Sequence, residues 1–180
     1  MASENAGGPT QVFTAEDTTG GLVIHADKTA SIQGYSPTIV TLIATKSVEI
    51  SDSGTIFFLN IAGGFTVTMP TLAQVLASEA GSGGDGEGGG FWCKFIVKTA
   101  PTTDYIITED AADSDKCIGL ITEAEIDTSS DGPSSSGYTF TKFIASGSAS
   151  VVGDWVEYAS DGVNWYVNGS TQKDGGITLT

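Results

Sequence analysis

The chain contains no arginine. Its seven basic residues are all lysine and face 22 acids, for a net charge of −15. Proteins that grip phosphate backbones do so with clusters of Lys and Arg, and arginine is the usual bidentate reader of phosphate and guanine. Nucleic acid is therefore excluded as an expected partner, and an anionic membrane surface with it. The single histidine, His25, rules out a two- or three-histidine metal site within one chain. It also leaves no Ser–His–Asp or Cys–His set that spacing could assemble. The expectation is a protein that is not an enzyme and uses no cofactor and no metal.

Long apolar runs are missing as well. Nothing approaches the 18 or so residues of a membrane-spanning helix. Residues 1–10 are small and polar, with neither the basic nor the apolar region of a secretion signal. The expectation is a soluble protein made in a cytoplasm.

There are two cysteines, Cys93 and Cys117, both inside apolar, strand-like runs. They read as buried free thiols acting as small hydrophobes. A single disulfide between them, or a redox or metal role, stays open at this level because no spacing signature decides.

What the chain has in quantity is glycine, at 24 of 180 residues, with abundant Ser and Thr and only 16% charged residues. That mix suits an all-β chain with many turns and suits a helical bundle poorly. The length accommodates one β-domain plus an arm.

Residues 1–37 read as an extended N-terminal arm. Its apolar pieces are short and separated, at Val12 and Phe13, at Leu22, Val23 and Ile24, and at Ile32 and Tyr35. They cannot close a core alone and suit docking on a partner, ordering as they bind.

Residues 38–180 read as the β-domain. Residues 38–50 predict one strand with a bend near Lys46. Residues 55–61 and 65–69 flank Ala62-Gly63-Gly64 and predict a β-hairpin, with Phe65, Val67 and Met69 inward and Thr66 and Thr68 outward. After Pro70, Leu72, Val75 and Leu76 at three–four spacing predict a two-turn helix.

Residues 81–90 read as a flexible glycine-rich loop, and Phe91 is expected to open a strand that runs to Lys98. A phosphate loop would need a Lys and a Ser or Thr leading into a helix, whereas Phe91 and Trp92 lead from this one into a strand. Further strands are expected at residues 105–108, 117–122, 138–145, 151–158 and 164–168, with 177–180 as a last one or as an exchange segment. Asp161-Gly162 marks a second hairpin.

The acids offer little chemistry. Glu109, Asp110, Asp113 and Asp115 fall within seven residues and are hard oxygen donors of the kind Ca²⁺ takes. They lack the loop spacing of a calcium site and read as a solvated acidic turn. Paired carboxylates could serve a glycosidase, but the acids lie mostly in turns. Trp92, Trp155, Trp165 and Tyr166 read as core or subunit-interface residues ahead of sugar platforms.

Eight to ten short strands at intervals near ten residues point to an all-β, antiparallel β-sandwich or barrel, jelly-roll-like or tulip-like, with one short helix. Three segments go further. Gly54-Thr-Ile-Phe-Phe-Leu-Asn-Ile-Ala-Gly-Gly-Phe-Thr-Val-Thr-Met-Pro70 is the first. Phe95-Ile-Val-Lys-Thr-Ala-Pro101 with Tyr105-Ile-Ile-Thr108 is the second, and residues 153–169 are the third. In this order they resemble capsid decoration, or cement, proteins of tailed bacteriophages, over about residues 38 to 180. Ser160-Asp-Gly-Val-Asn-Trp-Tyr-Val167 also resembles phage tail-fibre modules.

The resemblance implies a structural virion protein on the outer surface of the capsid. It implies a homotrimer bound at capsomer junctions of the major capsid protein, with Trp155, Tyr158, Trp165 and Tyr166 as candidate trimer-interface residues. The alternative is a tail-fibre or host-adhesion module that binds glycans.

Overall fold

Three β-branched and aromatic runs in this chain stack on one another without ever forming hairpins. In the computed structural model, β1 (Thr38–Leu42), β3 (Thr55–Leu59) and β5 (Phe91–Val97) lie side by side in one sheet. The strands next in the chain after each of them, β2 (Lys46–Ser47), β4 (Phe65–Thr68) and β6 (Tyr105–Thr108), lie in a second. The structure describes residues 37–79, 90–124, 133–147 and 149–180, and Pro37–Thr180 is one compact unit. The candidate arm residues Val12, Phe13, Leu22, Val23, Ile24, Ile32 and Tyr35 lie outside the described residues, as does the glycine-rich stretch 81–89.

All pairings among these six strands are parallel. Thr38 sits beside Thr55 and Thr55 beside Cys93 in the first sheet, while Phe65 sits beside Tyr105 in the second. The chain thus winds through three coils, as in a parallel β-helix. Parallel neighbours need a crossover of a dozen or more residues, and here the opposite sheet is that crossover.

The expected hairpin at Gly63-Gly64 is therefore corrected: β3 and β4 belong to different sheets. The single strand expected over residues 38–50 is likewise divided between β1 and β2. Period-two alternation identifies a strand but not its partner.

The second half of the chain is mostly antiparallel. β7 (Cys117–Glu123), β8 (Ser134–Tyr138), β10 (Trp155–Ser160) and β11 (Trp165–Thr171) complete a seven-stranded sheet in the order β1-β3-β5-β10-β11-β7-β8. β9 (Phe140–Phe143) and β12 (Ile177–Leu179) complete a five-stranded one, β12-β9-β6-β4-β2. The Asp161-Gly162 hairpin forms where the sequence puts it, pairing Ser160 with Trp165. β8 falls in a serine-rich stretch that reads as loop. The all-β sandwich holds, with mixed rather than purely antiparallel sheets.

The short helix α1 (Leu72–Glu79) has a capping box. Gln74 N–H donates to Thr71 Oγ1 at 3.1 Å, and Thr71 N–H donates to Gln74 Oε1 at 2.9 Å. Leu72 and Val75 are buried, whereas Leu76 is exposed. Between the sheets, one core gathers Phe57, Phe95, Tyr158 and Trp165 from the larger sheet. Val67, Tyr105, Ile107 and Phe143 meet them from the smaller. Coil stacks on coil through aromatic pairs: Phe57 lies parallel to Phe95 at 5.2 Å, and Phe65 meets Tyr105 edge-on at 5.1 Å.

Candidate interaction surface

Strand alternation leaves the large sheet with a second apolar face, pointing away from the core. Cross-strand register orders it in rows. One row runs Ile39, Ile56, Lys94, Glu157, Asn168, Leu120. The next runs Thr41, Phe58, Ile96, Trp155, Ser170, Thr122, and a third runs Trp92, Ala159, Tyr166, Ile118. Ile39 is 60% exposed, Leu120 53% and Tyr166 41%, while Phe58, Trp92, Ile96 and Trp155 are half-buried.

These rows contain only two charged side chains, on a chain of net charge −15. Lys94 turns its ammonium over the Trp155 ring at 3.6 Å from the centroid, a cation–π contact. Among the described residues Glu157, directly opposite Lys94 in register, has no ion pair, and the one salt bridge is Lys46–Asp52. The outer face of the smaller sheet differs, with Thr66, Thr68, Thr108 and Thr178 among its outward positions.

The four candidate interface residues divide between the two faces. Tyr158 and Trp165 are buried in this chain's own core, where they meet edge-on at 6.1 Å, so neither can line a contact between subunits. Trp155 and Tyr166 point outward. The separating signal was present in the sequence: Trp155 and Tyr158 are an odd number of residues apart, and Trp165 and Tyr166 are adjacent. The hairpin turn holds Tyr166, whose hydroxyl donates to Asp161 Oδ2 at 2.9 Å. The Asn164 and Val163 N–H groups and this hydroxyl hold Asp161 below the usual carboxylate range. The same hydrogen bond raises the Tyr166 phenol.

Of the four acids read as a solvated turn, Asp115 is exposed, Asp110 and Asp113 are half-buried and Glu109 is buried, and three of them accept from backbone N–H groups. Asp110 accepts from Ala112 N–H, Asp113 accepts from Leu72 N–H at the start of α1, and Glu109 accepts from Lys116 N–H. Among the described residues no three His, Cys, Asp or Glu side chains are placed to hold a metal ion. Asp154, which is buried, accepts from Ser150 Oγ, Val151 N–H, Thr171 Oγ1 and Gln172 N–H, tying residues 150–154 to the end of β11.

Cys93 and Cys117 are free and buried. β10 and β11 lie between their strands, so at about 4.8 Å per strand the two are separated sideways by about 14 Å, beyond the ~7 Å limit for a disulfide. Burial pushes both thiols up, Cys117 also through its contact with Glu109, which leaves them as thiols and not thiolates.

No protein-family model, no curated protein and no solved structure matches this chain.

Proposed function

We propose that this chain is a structural virion protein of a tailed phage, decorating and stabilising the capsid by contact. The observation that carries the reading is the outer face of the large sheet. On a chain of net charge −15 it is one broad area of Ile, Phe, Trp, Tyr and Leu whose charged side chains, among the described residues, are Lys94, Glu157 and Lys98, the last with its ammonium 6.0 Å from the centre of the Phe58 ring. Apolar, aromatic and charge-depleted surface is what the centre of a protein–protein contact is made of. The major capsid protein is the proposed partner and the outer capsid surface the proposed location, with the arm residues reaching the capsomers. The homotrimer that the resemblance implies remains a proposal attached to this reading.

A second reading is a glycan-binding host-adhesion module. It is favoured by Trp92, Trp155 and Tyr166 on one open face, although Lys94 already occupies one side of the Trp155 ring.

The test is co-sedimentation of the full chain with expanded phage heads that lack it. Saturable binding and a raised temperature of head disruption are expected. Phe13→Asp with Val23→Asp should weaken the binding at least tenfold. Binding to host cells but not to heads would transfer the assignment to the adhesion module.

A further inference from the structure

We infer that the subunits of the homotrimer meet at the rim formed by the arcs that follow β1, β3 and β5. The inference rests on the homotrimer of the proposed function and names the surface that closes it.

The sandwich has two rims, one at each end of its strands. The first holds the arcs 43–45, 60–64 and 99–104, together with residues 144–147 and 149–153. Hydrogen bonds tie these segments into one surface. Asn60 N–H donates to the Leu42 carbonyl, Thr102 N–H to the Ala62 carbonyl and Gly153 N–H to the Val97 carbonyl. Ala145 N–H donates to Asp104 Oδ1 at 2.8 Å. The large apolar side chains exposed on this rim are Ile43 at 64%, Ile61 at 41% and Val152 at 58%.

Charge is nearly absent from it. Asp104 is the one charged residue of these segments, on a chain with 22 acids, and it is half-buried. At the borders, Lys98 turns toward the Phe58 ring, and Lys173 and Asp174 lie in the turn after β11, next to Gln172, which donates to the Val152 carbonyl. The opposite rim is acidic. Glu49, Asp52, Asp110, Asp113 and Asp115 lie there with Lys116, in the arcs after β2 and β6. Asp161 turns the β10–β11 hairpin at the same end, where Ser160 pairs with Phe91.

Symmetry decides between the two rims. On a three-fold axis each residue meets two copies of itself, so a side chain there has to tolerate its own kind. Ile43, Ile61 and Val152 do. Three acidic rims would instead gather like charges on chains already at −15. The sheet edges offer less. β1 is joined at Pro37 to the arm assigned to the capsid, and β8 carries three serines, a glycine and a buried tyrosine. In the small sheet the edge strands β2 and β12 are two and three residues long.

The rim also faces along the strands, in the plane of the large sheet, so convergence there leaves the outer face free for the capsid. Area sets the strength. Four layers at about 4.8 Å and the ~10 Å between sheets span about 200 Å² in plan, well short of the ~800 Å² per partner of a standard interface. A concentration-dependent trimer is expected, not an obligate one.

Sedimentation velocity and native mass spectrometry on the full chain, from micromolar to millimolar, test this. The wild type should pass from monomer to trimer. Ile61→Asp and Val152→Asp should each weaken the trimer at least about tenfold, because three carboxylates then converge. Leu76→Asp places the same change on a 55% exposed leucine of α1, at the acidic rim, and should leave association unchanged. Circular dichroism checks that each variant is folded. Four results would overturn the inference: a wild type that stays monomeric to millimolar concentration, a dimer, a trimer indifferent to both rim substitutions, or a Leu76→Asp variant that dissociates as far as they do. Head binding separates the two claims. A trimer sensitive at the rim but without affinity for heads removes the virion role alone, and a head-binding trimer indifferent at the rim removes the rim alone.

Discussion

The Tyr105 hydroxyl holds both backbone groups of Ile61, donating to its carbonyl at 2.6 Å and accepting from its N–H at 3.0 Å. Tyr105 opens β6 in the third coil, and Ile61 lies in the arc that leaves β3 in the second. One side chain thereby fixes the spacing of two stacked arcs. The Thr99 carbonyl, 2.9 Å away, belongs to the arc of the third coil. Thr99 Oγ1 in turn donates to Asn60 Oδ1 at 2.8 Å. The arcs between the sheets are thus tied by polar contacts, as the strands are by aromatic ones.

Tyr105→Phe should lower stability by about 1–3 kcal/mol, the cost of leaving part-buried backbone groups without a partner while the ring stays in place. Urea unfolding followed by tryptophan fluorescence measures it. An unchanged midpoint would mean that water substitutes fully for the hydroxyl.

The Gly63-Gly64 pair should respond asymmetrically to alanine. Gly64 has φ +63°, and a Cβ there would run into the Thr103 carbonyl oxygen of the next arc. A Cβ on Gly63 would meet nothing within 4 Å. Gly64→Ala is expected to cost at least about 1–3 kcal/mol from backbone strain, with the clash in addition. Gly63→Ala should stay within about 0.5 kcal/mol. Equal effects in thermal melts of the two variants would contradict the stacked-arc arrangement.

Glu109 should make stability fall as pH rises. Burial pushes its carboxyl above the usual carboxylate range, against the lowering effects of the Cys117 thiol and the Lys116 N–H. The folded chain keeps this proton at pH values where the unfolded chain, with a pKa of about 4.3, has released it. Its favourable contribution is full below about pH 4 and is lost as pH rises toward the folded value. Glu109→Gln removes the titration, so the variant should gain on the wild type between about pH 4 and neutrality. A pH-independent difference between their urea midpoints would show that the carboxyl titrates normally in the fold.

Much of this fold was legible without coordinates. The strands from β3 onward fall near their expected places, with β8 as the exception. The Thr71-x-x-Gln74 signature starts the helix, and Asp161-Gly162 turns a hairpin. Propensity, alternation, caps and turns are short-range properties, and a sequence carries them in the open. Alternation even separates Trp155 and Tyr166 from Tyr158 and Trp165 once it is followed residue by residue.

Partnership was decided elsewhere. Whether β3 joins β4 or stacks on β5 depends on which arc Gly64 can approach, and its contact at Thr103 lies nearly forty residues along the chain. The use of Asp113 as an acceptor for the start of α1 is equally remote in sequence. The apolar outer face exists only after β1, β3 and β5 from the coils are laid beside β10, β11 and β7, because each strand contributes only a few residues to it. By itself the sequence determined that the chain would be β, where most of its strands lie and which side chains those strands turn inward. Beyond the Asp161-Gly162 hairpin, tertiary structure decided which strands are neighbours, since pairing energy comes from contacts between segments that no local pattern links.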